Sequence, residues 1–313
     1  MPFRRAIFSI AVLLLASAPL ALAQGTYTQI DVPGATWTSC WGIDTAGDIS
    51  GIYSDPSGVV HGFLLSGGTY TTIDYPGTSD TELFGINDEG QIVGYNGSYV
   101  GFVYNVQTQA FTEVSYPNAV WTVPTAINNA GDIAGFYALL NKSPIGFELK
   151  GSTYTRILPP GTSNIYVWGI TTSGEVVGYA TGKQTNKLFI NGSGSAIVGG
   201  YAPSGIGDGF LYQDFLFKPG KYEAILRSTG GNPAAFGING SGNAIVGEYV
   251  PLGISGIEDG FLYQGTTLQP LSFPGAYVTS ASSINAAGEV VGTFNSGSEH
   301  GFIWTPPADA AKK

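Results

Sequence analysis

The sequence predicts an all-β fold of four-stranded sheets set as blades around an axis, and three observations predict it. The stretch GINDEGQIVGY, starting at Gly85, returns along the chain with small changes. Two further motifs follow most copies in a fixed order, so each unit holds four strand-like segments, a to d. The ends are complementary: the chain opens with a lone fourth segment and closes with a unit that lacks one. Periods of this length belong to solenoids, propellers or arrays.

Strand a is the run around Gly-Ile-Asn. Its copies read WGIDTAGDISGIY from Trp41, FGINDEGQIVGYN from Phe84, TAINNAGDIAGFY from Thr125, WGITTSGEVVGYA from Trp168, FGINGSGNAIVGEY from Phe236 and SSINAAGEVVGTF from Ser282, with a partial copy from Phe189. The motif isoleucines are Ile43, Ile86, Ile127, Ile170, Ile190, Ile238 and Ile284, so most steps are 41 to 48 residues and one is 20. The turn that follows, Asn87-Asp88-Glu89-Gly90, reverses the chain. Asn or Asp at its first position accepts hydrogen bonds from its own backbone, and glycine takes positive φ at low cost. That glycine stands in every copy, at 47, 90, 131, 174, 194, 242 and 288.

Strand b, as in Ile92-Val93-Gly94-Tyr95, is apolar on both faces. A strand with one wet face alternates instead, so b is expected between two other sheets, as in a β-propeller blade. Strand c is HGFLL at 61, VGFVY at 100, IGFEL at 145, DGFLY at 208 and 259 and HGFIW at 300, with KLFI at 187 a degraded copy. Strand d is TYTTIDYPG from 69, AFTEVSYPN from 110, TYTRILPPG from 153 and TLQPLSFPG from 267. All are rich in Ile, Val, Tyr, Phe and Thr and bounded by Gly, Pro, Asn or Ser.

TYTQIDVPG at 26–34 is a strand d with nothing before it to pair with, and the last unit stops after GFIWTPP. The N-terminal strand is therefore expected to complete the C-terminal blade near residues 300–305. Closure would hide strand edges that an open stack must cap. Outside residues 170–237 the strands make five blades, and that interval holds about six further strands, enough for one blade and an extra hairpin. Six blades are expected, with an irregular fourth around 183–212 and seven as the alternative. One domain is assigned to 24–306 and a disordered tail to 307–313.

Residues 1–23 read as a secretory signal peptide: Arg4 and Arg5, an apolar stretch over 6–20, and ALA at 21–23 as the cleavage site, leaving Gln24 first. The expected location is secreted or periplasmic. No later stretch reaches 18 uninterrupted apolar residues, so no membrane insertion is expected. Lys and Arg number 12, two of them in the leader, against 22 Asp and Glu. The net charge of −10 becomes about −12 without Arg4 and Arg5, which opposes nucleic acid and anionic membrane as partners. The lone cysteine, Cys40, excludes an internal disulfide and reads as a small buried apolar residue.

The pattern GIN-x-x-G-x-I-V-G followed by H-G-F-L resembles the bacterial extracellular repeat of the HAF type, named for a His-Ala-Phe tripeptide. Here the tripeptide stands as His61-Gly62-Phe63 and His300-Gly301-Phe302, while other copies carry Val, Ile or Asp for the His, and none carries the Ala. The resemblance covers nearly all of 26–305. It implies a bacterial exported protein and brings no catalytic residues with it.

Candidate chemistry is sparse. His61 and His300 hold the same register on strand c of neighbouring blades, too far from the axis to share a metal. Each reads as a half-buried histidine bonded locally. The DTAGD, NNAGD and NDEGQ turns lack the alternating oxygen ligands and distal glutamate of a calcium loop. GSGSA at 192–196 lacks the strand-to-helix setting of a hydrolase nucleophile. No cofactor or metal is expected.

Aromatics are the most suggestive feature. The d-to-a connections and b–c loops of a propeller emerge on one face. The d-to-a segments carry Trp37, Trp41, Phe84, Trp121, Tyr166, Trp168 and Tyr277, and side chains of this kind stack on sugars or grip peptides. Trp41 and Trp168 read as core, and Trp37, Trp121 and Tyr277 as exposed. Asp55, Asp80, Glu82, Asp208, Glu258 and Asp259 supply carboxylates on the same face. The proposed ligand-binding set is Trp37, Trp121, Tyr166 and Tyr277 with those six acids, in a monomer that binds a glycan or an extracellular protein. Two other classes stand beside it: a polysaccharide hydrolase or lyase using loop carboxylates, and a structural envelope or matrix component. Only Arg156 and Arg227 remain after the leader, too few cations near any one site for lyase chemistry on a uronate.

Overall fold

The computed structural model describes residues 25–158, 163–174, 176–181, 215–218, 221–224, 234–251, 257–265 and 267–308. The signal peptide, Gly194, the irregular segment 183–212 with Asp208, and residues 309–313 of the tail lie outside them.

The closing strand β1 (Thr26–Ile30) comes first. Then β2 (Trp37–Ile43), β3 (Ile49–Ser54), β4 (Val60–Ser66) and β5 (Thr69–Ile73) form one antiparallel sheet in chain order. The strands β6 (Thr81–Ile86), β7 (Gln91–Asn96), β8 (Gly101–Asn105) and β9 (Ala110–Val114) form the next. So do β10 (Trp121–Ile127), β11 (Ile133–Ala138), β12 (Ile145–Lys150) and β13 (Thr153–Ile157). The pair β14 (Ser163–Ile170) and β15 (Val176–Thr181) follows, then the hairpin β16 (Phe215–Lys218) and β17 (Lys221–Ala224). The fourth complete sheet is β18 (Ala234–Ile238), β19 (Ala244–Tyr249), β20 (Asp259–Gln264) and β21 (Thr267–Leu271). The last contains β22 (Val278–Ile284), β23 (Val290–Asn295) and β24 (Glu299–Thr305).

The expected N- to C-terminal join is present: β1 pairs antiparallel with β24, from Thr26 opposite Thr305 to Ile30 opposite Gly301. The blade count is corrected. Among the described residues five sheets have four strands, not six or seven. Between β13 and β18 the described strands form two separate pairs, of which β14 and β15 pack on β10, β11 and β12 on one side and on β18 on the other. The repeat is weakest there, since KLFI at 187 lacks the Gly-Phe of the other strand c copies. Hydrogen bonding does not run around the ring. Each sheet is bonded within itself, and neighbours meet through side chains apart from isolated links such as the Glu258–Val278 bridge.

The blade interfaces explain the repeat residue by residue. The b strands are buried on both faces, β11 at every position. The strand c phenylalanines Phe63, Phe102, Phe147, Phe261 and Phe302 are all 0% exposed. The glycine before each leaves room for strand a of the next blade: a Cβ on Gly301 would sit 2.5 Å from Cys40 Sγ, and one on Gly62 would sit 2.5 Å from Leu83. Cys40 is the buried apolar residue expected, and burial pushes its thiol pKa well up.

The turn glycines at 47, 90, 131, 174, 242 and 288 have φ between 67° and 86°. Asn87 Oδ1 accepts the Gln91 N–H at 2.9 Å, so the turn caps itself as expected. The same side chain has a second role that the sequence did not reveal. Asn87 Nδ2 donates to the carbonyl of Asn128 in the next blade at 2.9 Å, Asn128 Nδ2 donates to the carbonyl of Thr171 at 3.1 Å, and Asn285 Nδ2 donates to the carbonyl of Asp44 at 3.0 Å. Asp44 carries no amide to donate. There the Thr45 N–H donates to Asp88 of the neighbouring turn at 2.9 Å instead. Each such buried bond contributes about 0.5–1.5 kcal/mol net and costs more when one partner is left alone.

Candidate functional site

Six strand a segments, β2, β6, β10, β14, β18 and β22, surround the axis, and two cavities lie along it. At the a–b turn end a space of about 350 Å³ is ringed by the motif isoleucines Ile43, Ile86, Ile127, Ile170, Ile238 and Ile284 with the turns beneath them. These isoleucines are all buried to a similar degree, between 5% and 8% exposed. One residue of each of the six described copies thus does one job.

Trp41 and Trp168, from opposite strands of the ring, meet across the axis with ring centres 5.7 Å apart and planes 15° apart. Phe84 meets both edge-on, at 5.4 and 6.0 Å. Both tryptophans line both cavities. They form a partition between them, and their buried Nε1–H groups have no hydrogen-bond partner among the described residues.

Above the partition, on the face of the d-to-a and b–c loops, lies a cavity of about 330 Å³. Beyond the partition residues it is lined by Glu82, Tyr95, Tyr99, Trp121, Val123, Phe136, Pro144 and Tyr166. Tyr99 stacks on Tyr95 at 5.4 Å and Tyr95 on Phe84 at 5.9 Å, so an aromatic column runs from the rim to the partition. Trp121 and Tyr166 stand edge-on to Phe136 at 5.9 and 5.1 Å. Burial pushes the Glu82 carboxyl above the usual carboxylate range, and the negative charge of Asp80 adds to this, against the hydrogen bond donated by Tyr95. Burial and the neighbouring Glu82 together push the Tyr95 hydroxyl well up.

These residues share three registers of the repeat. The upper end of strand a carries Ser39, Glu82, Val123, Tyr166, Ala234 and Ser280 in turn. Opposite them on strand b stand Ile52, Tyr95, Phe136, Glu248 and Thr293 in the complete blades. Two residues before the strand c glycine come Val60, Tyr99, Pro144, Glu258 and Glu299. At the same registers, then, the residues that line the cavity form a largely aromatic arc, and those of the blades outside its lining form an acidic and hydroxylic one. In the acidic arc Glu248 accepts from Ser280 and Glu299 from Ser39, and Ser39 bonds Thr293 at 2.8 Å. Burial raises the pKa of both glutamates, and the charge of Glu258 adds to the effect at Glu248.

Of the ligand set expected from sequence, Glu82, Trp121 and Tyr166 come together in this cavity. Tyr277 is 45% exposed at the rim, where its hydroxyl donates to Asn295 at 2.5 Å. Trp37 and Trp121 are half-buried, not exposed as expected, because each begins a strand a held against strand b of its own sheet. Asp55 accepts from Ser57 and Val59 within its turn, and these bonds hold its carboxyl below the usual range. Asp80 accepts from Val60 N–H at 3.1 Å and Ser79 Oγ–H at 3.0 Å. Asp259 accepts from Ser272 at 2.7 Å, and Glu258 bridges to Val278 by its backbone. Asp208 lies outside the described residues. Trp41 and Trp168, expected as core, are half-buried and face the cavities. Tyr95, Phe136, Glu248 and Glu299 did not enter the expected set. The signal was present all the same, since each marks a register where the copies stop agreeing.

His61 and His300 are locally bonded as expected. Nδ1 of His61 meets Asp74 at 2.9 Å, and Nδ1 of His300 meets Asp31 at 2.8 Å, each Asp from the strand d side of its blade. Among the described residues no group of three or more His, Cys, Asp or Glu is placed to hold a metal ion, and no helix is long and apolar enough to cross a membrane.

Comparison with known proteins supports the fold. No family model matches the chain, and no curated protein matches it. Among solved structures, oligogalacturonate lyase from Vibrio parahaemolyticus aligns over 92% of this chain and 96% of its own, with a TM-score of 0.55 at 12% identity. TolB from Acinetobacter baumannii aligns over 82% of this chain and 63% of its own, with a TM-score of 0.54 at 13% identity. The β-propeller domain of the Trilobed protease from Pyrococcus furiosus, which has an open velcro topology, aligns over 87% and 79%, with a TM-score of 0.51 at 9% identity. The chain is thus an all-β propeller with four-stranded blades. At these identities the likeness extends to the fold alone.

Proposed function

We propose that the chain is an exported, non-catalytic binding propeller that takes a glycan or an extracellular protein at the cavity on its d-to-a and b–c loop face. One observation carries this reading: the cavity is built from registers at which the repeat copies differ. A residue kept in every copy serves every blade and so belongs to folding. A site used once per molecule must be made of residues that break the repeat. The aromatic column of Phe84, Tyr95 and Tyr99 supplies flat apolar surface, and Glu82 beside it supplies a polar anchor. An apolar cleft with a few convergent polar groups is the usual form of a binding site. The sequence-level leader, the propeller fold and the HAF-like motifs all agree with export.

The test is a glycan array and a peptide array probed with residues 24–313, followed by Tyr99→Ala. Tyr99 is 56% exposed, so its loss should leave folding intact. Binding that weakens at least tenfold in Tyr99→Ala, with an unchanged Tm, supports the reading. No ligand on either array, or undiminished binding by the variant, overturns it.

A further inference from the structure

We propose that the chemical group received by the loop-face cavity is an alkylated ammonium, of the choline type. This rests on the binding reading above and names its ligand class. The cavity wall is aromatic on several sides: Tyr95, Tyr99, Trp121 and Tyr166 surround the opening, and Trp41, Trp168 and Phe84 form its floor. Faces of such rings carry negative potential and attract a desolvated cation, and aromatic cages are the recurrent solution for quaternary ammonium groups.

A cage of this size would serve a neutral apolar group equally well if it held no charge. It holds Glu82. The carboxyl sits among the rings with its Tyr95 hydrogen bond, half-buried, beside Asp80. No Lys or Arg lines the cavity among the described residues. At the equivalent registers of other blades, outside the cavity lining, stand Glu248, Glu258 and Glu299, and the whole chain carries a net charge of −10. The field at the entrance therefore draws cations and repels uronates and phosphates.

The shape of the ion matters as much as its charge. A bare ammonium or metal ion keeps its water, which the ring faces cannot replace. A methylated ammonium sheds water readily and fills the space with methyl groups against the rings. Glu82 supplies the counter-charge that a neutral isostere would leave unused. Its burial costs free energy in the empty cavity that the Tyr95 hydrogen bond offsets in part and an arriving cation offsets further.

The experiment is calorimetric titration of residues 24–313 with choline, with 3,3-dimethylbutan-1-ol as its neutral isostere, with ethanolamine, and with glucose. A second arm uses a peptide bearing trimethyl-lysine, which separates a peptide source of the group from a choline source. Choline or the trimethyl-lysine peptide should bind at least tenfold more tightly than the isostere and ethanolamine. Glu82→Gln should remove most of that preference while leaving the isostere unchanged, and Tyr99→Ala should weaken both. Equal binding of choline and the isostere, or a preference for glucose, overturns the ammonium assignment and leaves the binding reading in place. Failure of every probe while the arrays still yield a ligand also overturns the assignment alone. Failure of probes and arrays together overturns both.

Discussion

The two ends of the axis make an instructive pair. All six strand a segments line a cavity of about 350 Å³ at the turn end, and four of them, β2, β6, β10 and β14, line one of about 330 Å³ at the loop end. The first is ringed by one isoleucine per blade and stitched below by asparagine amides reaching from turn to turn. The second is lined by the aromatic arc with Glu82, while the acidic arc holds the equivalent registers of blades outside its lining. Strand a enters from the loop end and turns at the other, so side chains only a few residues apart along one strand serve different ends. The turn end holds the ring together with one isoleucine repeated in each of the six described units. The loop end can be specific because its residues are not repeated in this way.

That contrast can be tested from its strongest consequence downward. Removing residues 24–31 deletes β1 and bares the edge of β24, an unpaired strand that invites association. The expected outcome is loss of the single cooperative thermal transition together with oligomers in size-exclusion chromatography. A truncated chain that melts as one monomeric unit at the wild-type temperature would show that the join is dispensable.

At the turn end, Asn128→Ala removes a side chain that caps its own turn and bonds Thr171 of the next blade. A destabilisation of about 1–3 kcal/mol in urea unfolding is expected, with ligand affinity unchanged in the folded protein. Lost affinity without lost stability would reverse the assignment of the two ends.

At the loop end the smallest effect has the opposite sign. Burial favours the protonated form of Glu248 in the fold. Its contribution is therefore fully present below the ordinary glutamate pKa and is lost as pH rises through the higher folded value. Glu248→Gln should match the wild type in acid and melt a few degrees higher near neutrality. Equal melting temperatures at both pH values would mean that the acidic arc carries no strain.

Much of the fold was legible because the residues that make it are repeated. Gly90 and its equivalents announced the reversals, the doubly apolar run of Ile92 and Val93 announced a sheet between sheets, and the stray TYTQI at the start announced the closing pair with β24. The count of complete blades was less legible. A degraded motif such as KLFI keeps the appearance of a strand while losing the Gly-Phe pair through which blades pack. The site was only partly legible. Glu82, Trp121 and Tyr166 stood out as an acid and aromatics near strand a. Tyr95, Phe136 and Glu248 looked like ordinary strand residues, and Trp41 and Trp168 like core.

The sequence by itself determined the kind of object this is: alternation, turn chemistry and period are local, and they act through neighbours along the chain. Only the tertiary structure decided that Trp41 and Trp168, 127 residues apart, divide the axis between them, and that aromatics from several blades meet around Glu82 in one cavity. Those relations depend on which side of the axis each blade occupies, and ring geometry brings side chains together at distances along the chain that no local pattern records.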